Sequence, residues 1–345
     1  MMDSIFYDSF DRLLRNISTP QAIRDIESGE SPPTLEEQIV ESGFADAMLD
    51  EDCGGAGLHM GEAFSLFFLC GRHAFPLPLP ATMIARNVLA RQGIDIPEGN
   101  IAISAAPVAH ADKAVECRNV PSGKLAQWVI VPHALECAAP CDLLLPTDGA
   151  ERVETGVYGS LQAHLSWSAP HSAGVVIEGA YPWLEVAAAM TAAQMAGAMD
   201  TVLNMTVRYA QERSQFGRPI GKFQAVQQQL SVLAELASAS RIAAELGCQE
   251  PAKGTSNTLA AAVAKARVSE AAGTVVSIAH AVHAAMGITE EYDLQLHTRR
   301  LIEWRTDYGS AAYWNRRVGD AVLSADAPCT LEYMLPTYFS GSTSD

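Results

Sequence analysis

Arg213-Ser-Gln-Phe-Gly-Arg-Pro-Ile-Gly-Lys-Phe-Gln224 brings a guanidinium, an aromatic ring and two side-chain amides together at the end of a long alanine-rich stretch. Arg213 offers a planar fork suited to a phosphate, and Gln215 offers both a donor and an acceptor. Gly217-Arg218-Pro219 cannot continue a helix, so these groups are predicted to project from a helix end. Arg213, Arg218 and Lys222 form a cationic island in a chain whose formal charge is −17. This pattern suits an anionic small molecule. The overall charge opposes a broad role on nucleic acid or on an anionic membrane surface, since both need clustered cations.

The elements that position this cluster follow from composition and periodicity. The chain has 345 residues, 48% hydrophobic and 18% charged, which is globular and sufficient for two or three domains. From Ser4 to about Gly93 apolar residues recur at helical spacing, and four helices are expected there. Pro32-Pro33 with Thr34-Leu-Glu-Glu37 marks a helix start, and Pro76 to Pro80 closes the third helix. From Asn100 to about Gly179 short apolar runs, Ile101–Ser104, Trp128–Val131, Leu143–Leu145 and Gly174–Ile177, predict strands. From Trp183 onward three long helices are expected over 183–212, 223–247 and 257–285, with a fourth over 293–323. Four long helices with short connections predict a bundle. The fold class is therefore mostly α with a small central β domain. Expected boundaries are 1–98, 99–180 and 181–327, followed by a weakly ordered tail over 328–345.

Seven cysteines at irregular spacings fit reduced thiols, and the close pair Cys137 and Cys141 lacks the companions of a metal site. The N-terminus lacks the layout of a signal peptide, and charge interrupts the long apolar stretches, so the cytoplasm is the expected location and no membrane partner is expected. His280 and His283 are expected as packed or partly exposed imidazoles, with no metal, whereas His297 with the Arg299-Arg300 pair is expected either at a ligand or subunit contact or on a solvated helix face. Trp183, Trp304 and Trp314 are expected as core or interface anchors.

The run from Val207 to Gln227, Val-Arg-Tyr-Ala-Gln-Glu-Arg-Ser-Gln-Phe-Gly-Arg-Pro-Ile-Gly-Lys-Phe-Gln-Ala-Val-Gln, resembles the signature segment of the acyl-CoA dehydrogenase family. These are flavoproteins that desaturate acyl-CoA thioesters. Met286-Gly-Ile-Thr-Glu-Glu-Tyr-Asp-Leu-Gln-Leu-His-Thr-Arg-Arg300 is similar to the second signature, especially as found in the heteromeric members of bacterial steroid side-chain breakdown. Asp50-Glu-Asp-Cys-Gly-Gly-Ala-Gly-Leu58 resembles an acidic, glycine-rich turn of the N-terminal domain. The order helical domain, β domain, four-helix bundle is also that of the family.

The resemblance implies that Arg213, Gln215 and Phe216 hold the pyrophosphate and adenine half of an FAD whose ring lies in a neighbouring subunit, with Gln224 and Gly287 completing the cofactor-binding set. The chain departs from the family in three places. The Gln and the Gly-Gly pair of the second signature fall on Ala281 and Ala284-Ala285. The catalytic Glu that precedes a turn glycine falls on Tyr308, before Gly309, and a phenol is a poor base at neutral pH. The nearest carboxylates are Asp307 and Glu185, each a candidate base. The β domain also lacks the loop that contacts the flavin ring. Kept nucleotide residues beside lost catalytic ones imply a half-site subunit that completes FAD binding for a homologous catalytic partner acting on an acyl-CoA. The alternatives are a self-sufficient dehydrogenase, in a homo-oligomer, with a displaced base, and a flavin-free bundle that binds only a partner protein.

Overall fold

The computed structural model describes residues 2–31, 33–105, 107–109, 114–132, 141–169, 174–179, 181–250 and 257–325. The expected tail over 328–345 lies outside them, as does Cys137. The chain divides into two compact units, Met1–Ala63 with Phe75–Ala187, and Phe64–Ala74 with Ala188–Asp345.

The first unit contains helices α1 (Met2–Ile17), α2 (Pro20–Glu27), α3 (Pro33–Ser42) and α5 (Leu79–Arg91), and the start of α4 (Met60–Arg72). Helix α2 was not foreseen, because eight residues hold too few turns for a periodic signal. It starts on Thr19, whose Oγ1 accepts from the Ala22 amide at 3.2 Å, with Pro20 in the first turn. The turn over Asp50–Leu58 closes on its own backbone: the amides of Gly57 and Leu58 donate to the carbonyls of Leu49 and Ala47. A Cβ on Gly55 would fall 2.1 Å from the Leu49 oxygen, so close approach of the backbone requires glycine here.

All four predicted apolar strands form one sheet, in the order β1 (Ile101–Ile103), β4 (Trp128–Val131), β5 (Cys141–Pro146) and β8 (Val175–Glu178). A second sheet orders β2 (Pro107–Ala109), β3 (Val115–Val120), β7 (Ala163–Trp167) and β6 (Glu151–Glu154), and was not predicted. Strands β3 and β7 mix buried and solvated positions instead of forming apolar runs. Val129, Val131, Leu143 and Leu145 of the first sheet share one core with Val115, Cys117, Leu165 and Trp167 of the second. Trp183 is fully buried beside this sandwich and donates its indole N–H to the buried Asp142 carboxylate at 2.6 Å.

In the second unit the long helices are α6 (Trp183–Glu212, whose first residues belong to the first unit), α7 (Gln224–Gly247) and α8 (Thr258–His283). They match the predicted stretches closely. The fourth stretch is not continuous: it breaks into α9 (Leu294–Trp304) and α10 (Ala311–Ser324). Tyr308 and Gly309 take left-handed φ values of 53° and 99° between them, and Ser310 then caps α10. Helix α8 packs against α7, α9 and α10. Small residues permit close crossings, as where a Cβ on Gly247 would meet the Ala264 methyl at 2.5 Å. By length and composition alone, Trp183–Glu212 and Thr258–Ile288 are apolar enough to cross a bilayer, with 78% and 39% of their apolar windows buried. A long core helix of a bundle has the same composition.

Candidate functional site

The predicted helix end is present, and a short hairpin continues the chain from it. After α6 ends at Glu212, β9 (Ser214–Gln215) pairs antiparallel with β10 (Arg218–Pro219), with Gln215 opposite Arg218 and Ser214 opposite Pro219. The Ile220 amide donates to the Arg213 carbonyl at 2.8 Å and extends the ladder. Only Phe216 and Gly217 form the loop, with φ of 52° and 79°. Two successive positive φ values define a type I′ turn, the two-residue loop whose twist matches a hairpin. Glycine adopts this backbone freely, whereas Phe216 is held there at a cost on the order of 1 kcal/mol.

The strained residue presents its ring to solvent, 92% exposed. Arg213, Gln215, Lys222 and Gln224 are also exposed, and among the described residues their side chains make no hydrogen bond or ion pair. Gln224 opens α7, whose first turn has no acidic residue and whose start has no side-chain cap. Its free N–H groups therefore favour an anion. The structure thus brings the unpaired donors and cation of Arg213, Gln215 and Gln224 and the exposed ring of Phe216 to one corner. Those groups fit the phosphates and base of a dinucleotide.

Arg218 is engaged differently. Its guanidinium lies 4.3 Å from the centroid of the Phe223 ring, and the Phe216 ring meets the same ring edge to face at 6.1 Å and 89°. Sequence reasoning counted Arg218 among the free cations and missed this stack, although an arginine five residues before an aromatic was visible.

Gly287 is buried. A Cβ there would meet His283 Cβ at 3.0 Å and His280 Nδ1 at 3.1 Å, so the glycine lets the chain pass over two imidazoles. His283 donates Nδ1–H to the Ala279 carbonyl at 2.8 Å, which leaves Nε2 to accept from the Tyr292 hydroxyl at 3.3 Å. The tautomer follows from the partners, since a carbonyl can only accept. The Tyr209 ring lies over His283 at 4.4 Å. Burial pushes the pKa of both His280 and His283 down. Ala284 starts the turn to Gly287 with φ 50° and ψ −136°, a conformation nearly reserved for glycine.

The candidate bases occupy other places. Glu185 is half-buried in the first turn of α6, the helix whose far end carries Arg213. Asp307 is buried in the turn between α9 and α10. Tyr308 is 2% exposed, and burial, with the Asp307 charge, pushes its hydroxyl well above the usual phenol range. A buried neutral phenol takes no proton from a substrate. Sequence reasoning also missed Lys265, a lone cation in the alanine face of α8, which is wholly buried. Its Nζ donates to the carbonyls of Trp304 at 2.8 Å, Gly309 at 3.1 Å and Arg305 at 3.3 Å, and to Ser269 Oγ at 3.0 Å. Burial lowers the Lys265 pKa and the Asp307 charge opposes that. Lysine and carboxylate therefore hold the turn that separates α9 from α10.

The described cysteines form no disulfide, with Cys53 exposed and Cys70, Cys117, Cys141 and Cys248 buried. Among the described residues no group of three or more His, Cys, Asp or Glu could hold a metal ion.

Residues 180–310 match the model of the acyl-CoA dehydrogenase C-terminal domain. The acyl-CoA dehydrogenase IpdE2 of Mycolicibacterium smegmatis is 27% identical over 84% of this chain and 88% of its own length. A solved steroid acyl-CoA dehydrogenase, the Tcur3481-Tcur3483 G363A variant, superposes with a TM-score of 0.80 at 26% identity, over 93% of this chain and 98% of that one. The ChsE4-ChsE5 complex of Mycobacterium tuberculosis gives 0.79 at 21% identity, over 94% and 98%, and shows the same fold. Residues 180–310 carry the acyl-CoA dehydrogenase C-terminal domain, and most of the chain is similar to acyl-CoA dehydrogenases. It shares with them the layout of a helical region, a small β region and a helical bundle. Within this acyl-CoA dehydrogenase homologue the hairpin corner carries the first signature. Tyr308, at the position of a catalytic carboxylate by resemblance, is closed off from solvent.

Proposed function

We propose that this chain is the half-site subunit of a heteromeric acyl-CoA dehydrogenase. It supplies Arg213, Gln215 and Phe216, with Gln224, to the nucleotide half of an FAD, while a homologous partner provides the flavin-ring pocket and the base. One observation carries the reading: a strained hairpin holds a guanidinium and an amide with no partner among the described residues, beside a phenyl ring that is 92% exposed. FAD, when bound, supplies hydride acceptance; this chain's residues bind and orient its diphosphate. The buried Tyr308 and the Lys265-held turn support a base located elsewhere. Likeness to a steroid acyl-CoA dehydrogenase of two named chains supports a steroid-derived acyl-CoA as substrate and a non-identical partner. The cytoplasm is the proposed location.

The test is to produce the chain with its partner and count flavin per pair of chains by absorbance. Arg213→Ala is expected to weaken FAD binding about tenfold or more, the worth of a charge-assisted contact to phosphate. Stoichiometric FAD bound by the isolated chain and reduced by an acyl-CoA would overturn the subunit reading. Undiminished flavin in the Arg213→Ala complex would overturn the nucleotide site.

A further inference from the structure

We propose that Arg218 is a positioning residue: its stack on Phe223 fastens the β9–β10 hairpin to the start of α7 and so presets Arg213, Gln215 and Phe216 for their ligand. This anchor deepens the nucleotide-site reading and rests on it for the ligand alone.

The hairpin is strained at its tip. A type I′ loop prefers Asn-Gly or Gly-Gly, and here its first central position is Phe216 at φ 52°. Two short strands closed by such a loop are marginal by themselves. Support must come from outside the hairpin, and Phe223 provides it. Phe223 is fixed at the start of α7, where its carbonyl accepts from the amides of Val226 and Gln227, each at 3.0 Å. Its own amide donates to the Ile220 carbonyl at 3.0 Å. One ring, held by a helix, thus receives the Arg218 guanidinium and the edge of the Phe216 ring.

The register then transmits the anchor. Gln215 lies opposite Arg218, and the Arg213 carbonyl is bonded by Ile220, the residue two beyond Arg218. Fixing the β10 strand on Phe223 fixes both candidate ligand groups on the β9 side. Arg218 has a ring partner within the chain whereas Arg213 has none among the described residues, so the two arginines, five residues apart, are assigned different tasks.

The experiment is a double-mutant cycle with Arg218→Met, Phe223→Leu and the double variant, and Arg218→Lys as the conservative form. Amide exchange of the hairpin is read in the flavin-free full chain, and FAD dissociation constants are read in the complex with the partner. Each single change is expected to raise hairpin exchange and FAD dissociation roughly three- to fivefold, the worth of an exposed cation–π pair. The double variant is expected to go little further, with Arg218→Lys retaining part of the effect. If Arg218→Met weakens FAD while Phe223→Leu does not, or the two effects multiply, Arg218 contacts the ligand directly and the proposal fails. If the wild-type complex binds no FAD, the nucleotide reading fails. Hairpin exchange in the chain alone still decides the anchor: unchanged exchange in both single variants overturns it.

Discussion

Gly197 of α6 runs so close to Phe68 of α4 that a Cβ on the glycine would fall 1.9 Å from the Phe68 carbonyl oxygen. Gly71 returns the contact, since a Cβ there would fall 1.7 Å from the Gln194 carbonyl oxygen. The crossing is held further along by Thr201, which donates to the Arg72 carbonyl at 2.7 Å, and by the Arg72–Asp200 ion pair at 3.5 Å. Residues 64–74 join the bundle unit through this backbone contact.

Gly197→Ala is therefore expected to cost about 3 kcal/mol or more, because the obstructing atoms, the Phe68 carbonyl and the Arg72 amide nitrogen, belong to backbone and cannot rotate away. Gly319→Ala, in α10 with nothing within 4 Å of its added methyl, is expected to stabilise by up to about 1 kcal/mol. Urea unfolding of the two variants checks the contrast. Equal midpoints for Gly197→Ala and wild type would show that the helices do not touch as described.

A second expectation concerns acid. His297 is buried, its Nδ1 has no hydrogen-bond partner among the described residues, and burial with nearby Arg300 and His73 pushes its pKa down to about 3. The unfolded chain takes up this proton near pH 6.5, and the folded chain does not until about pH 3. Stability from this residue is thus complete above pH 6.5 and is lost as pH falls through that window. At pH 5 the loss is on the order of 2 kcal/mol relative to pH 7.5. In His297→Leu this part of the acid dependence should vanish, leaving a shallower slope in unfolding free energy. Parallel slopes for the two proteins between pH 7.5 and 5 would refute the assignment.

What the sequence revealed of this molecule depended on burial on both faces. Strands β1, β4, β5 and β8 read as apolar runs and form one sheet, whereas β3, with Glu116, Arg118 and Asn119 among its residues, alternates and passed for loop. Helices α6 to α8 were visible because alanine runs carry a long period. The break before α10 was missed by periodicity, since Tyr308 at positive φ has no signature in residue type, although the resemblance had set a turn glycine at Gly309. Arg213, Gln215 and Phe216 could be named from the chain alone because a helix-ending Gly-Arg-Pro came directly after them. The Arg218–Phe223 stack and the Lys265 clamp depend on how far the chain turns between the partners, and spacing does not fix that.

Ala284 offers a test of strain. Its φ of 50° and ψ of −136° place a Cβ where only glycine is comfortable. Ala284→Gly relieves roughly 1–3 kcal/mol of strain and adds somewhat less than 1 kcal/mol of unfolded-state entropy. A net gain of about 1 kcal/mol in unfolding free energy is expected, whereas alanine-to-glycine changes at helix interiors lose a similar amount. Ala271→Gly inside α8 is the matched comparison, and a loss in both variants would mean that residue 284 is unstrained.

Asp307 separates a structural carboxylate from a catalytic one. It is buried beside Lys265, whose ammonium ties Trp304, Arg305 and Gly309 together, and its charge offsets part of the cost of burying that ammonium. Asp307→Asn removes the offset and keeps the shape. The expected result is a loss of about 1–3 kcal/mol in stability near pH 7, the penalty for leaving a buried charge less compensated. Lys265→Met, which removes the ammonium and three carbonyl contacts, should cost at least as much, and the double variant should cost less than the sum because the two groups serve each other. Turnover per folded complex should stay within about twofold of wild type for Asp307→Asn, since a lost general base lowers rates by roughly 10²–10⁴. A loss of that size with unchanged stability would make Asp307 the base and this chain a catalytic subunit.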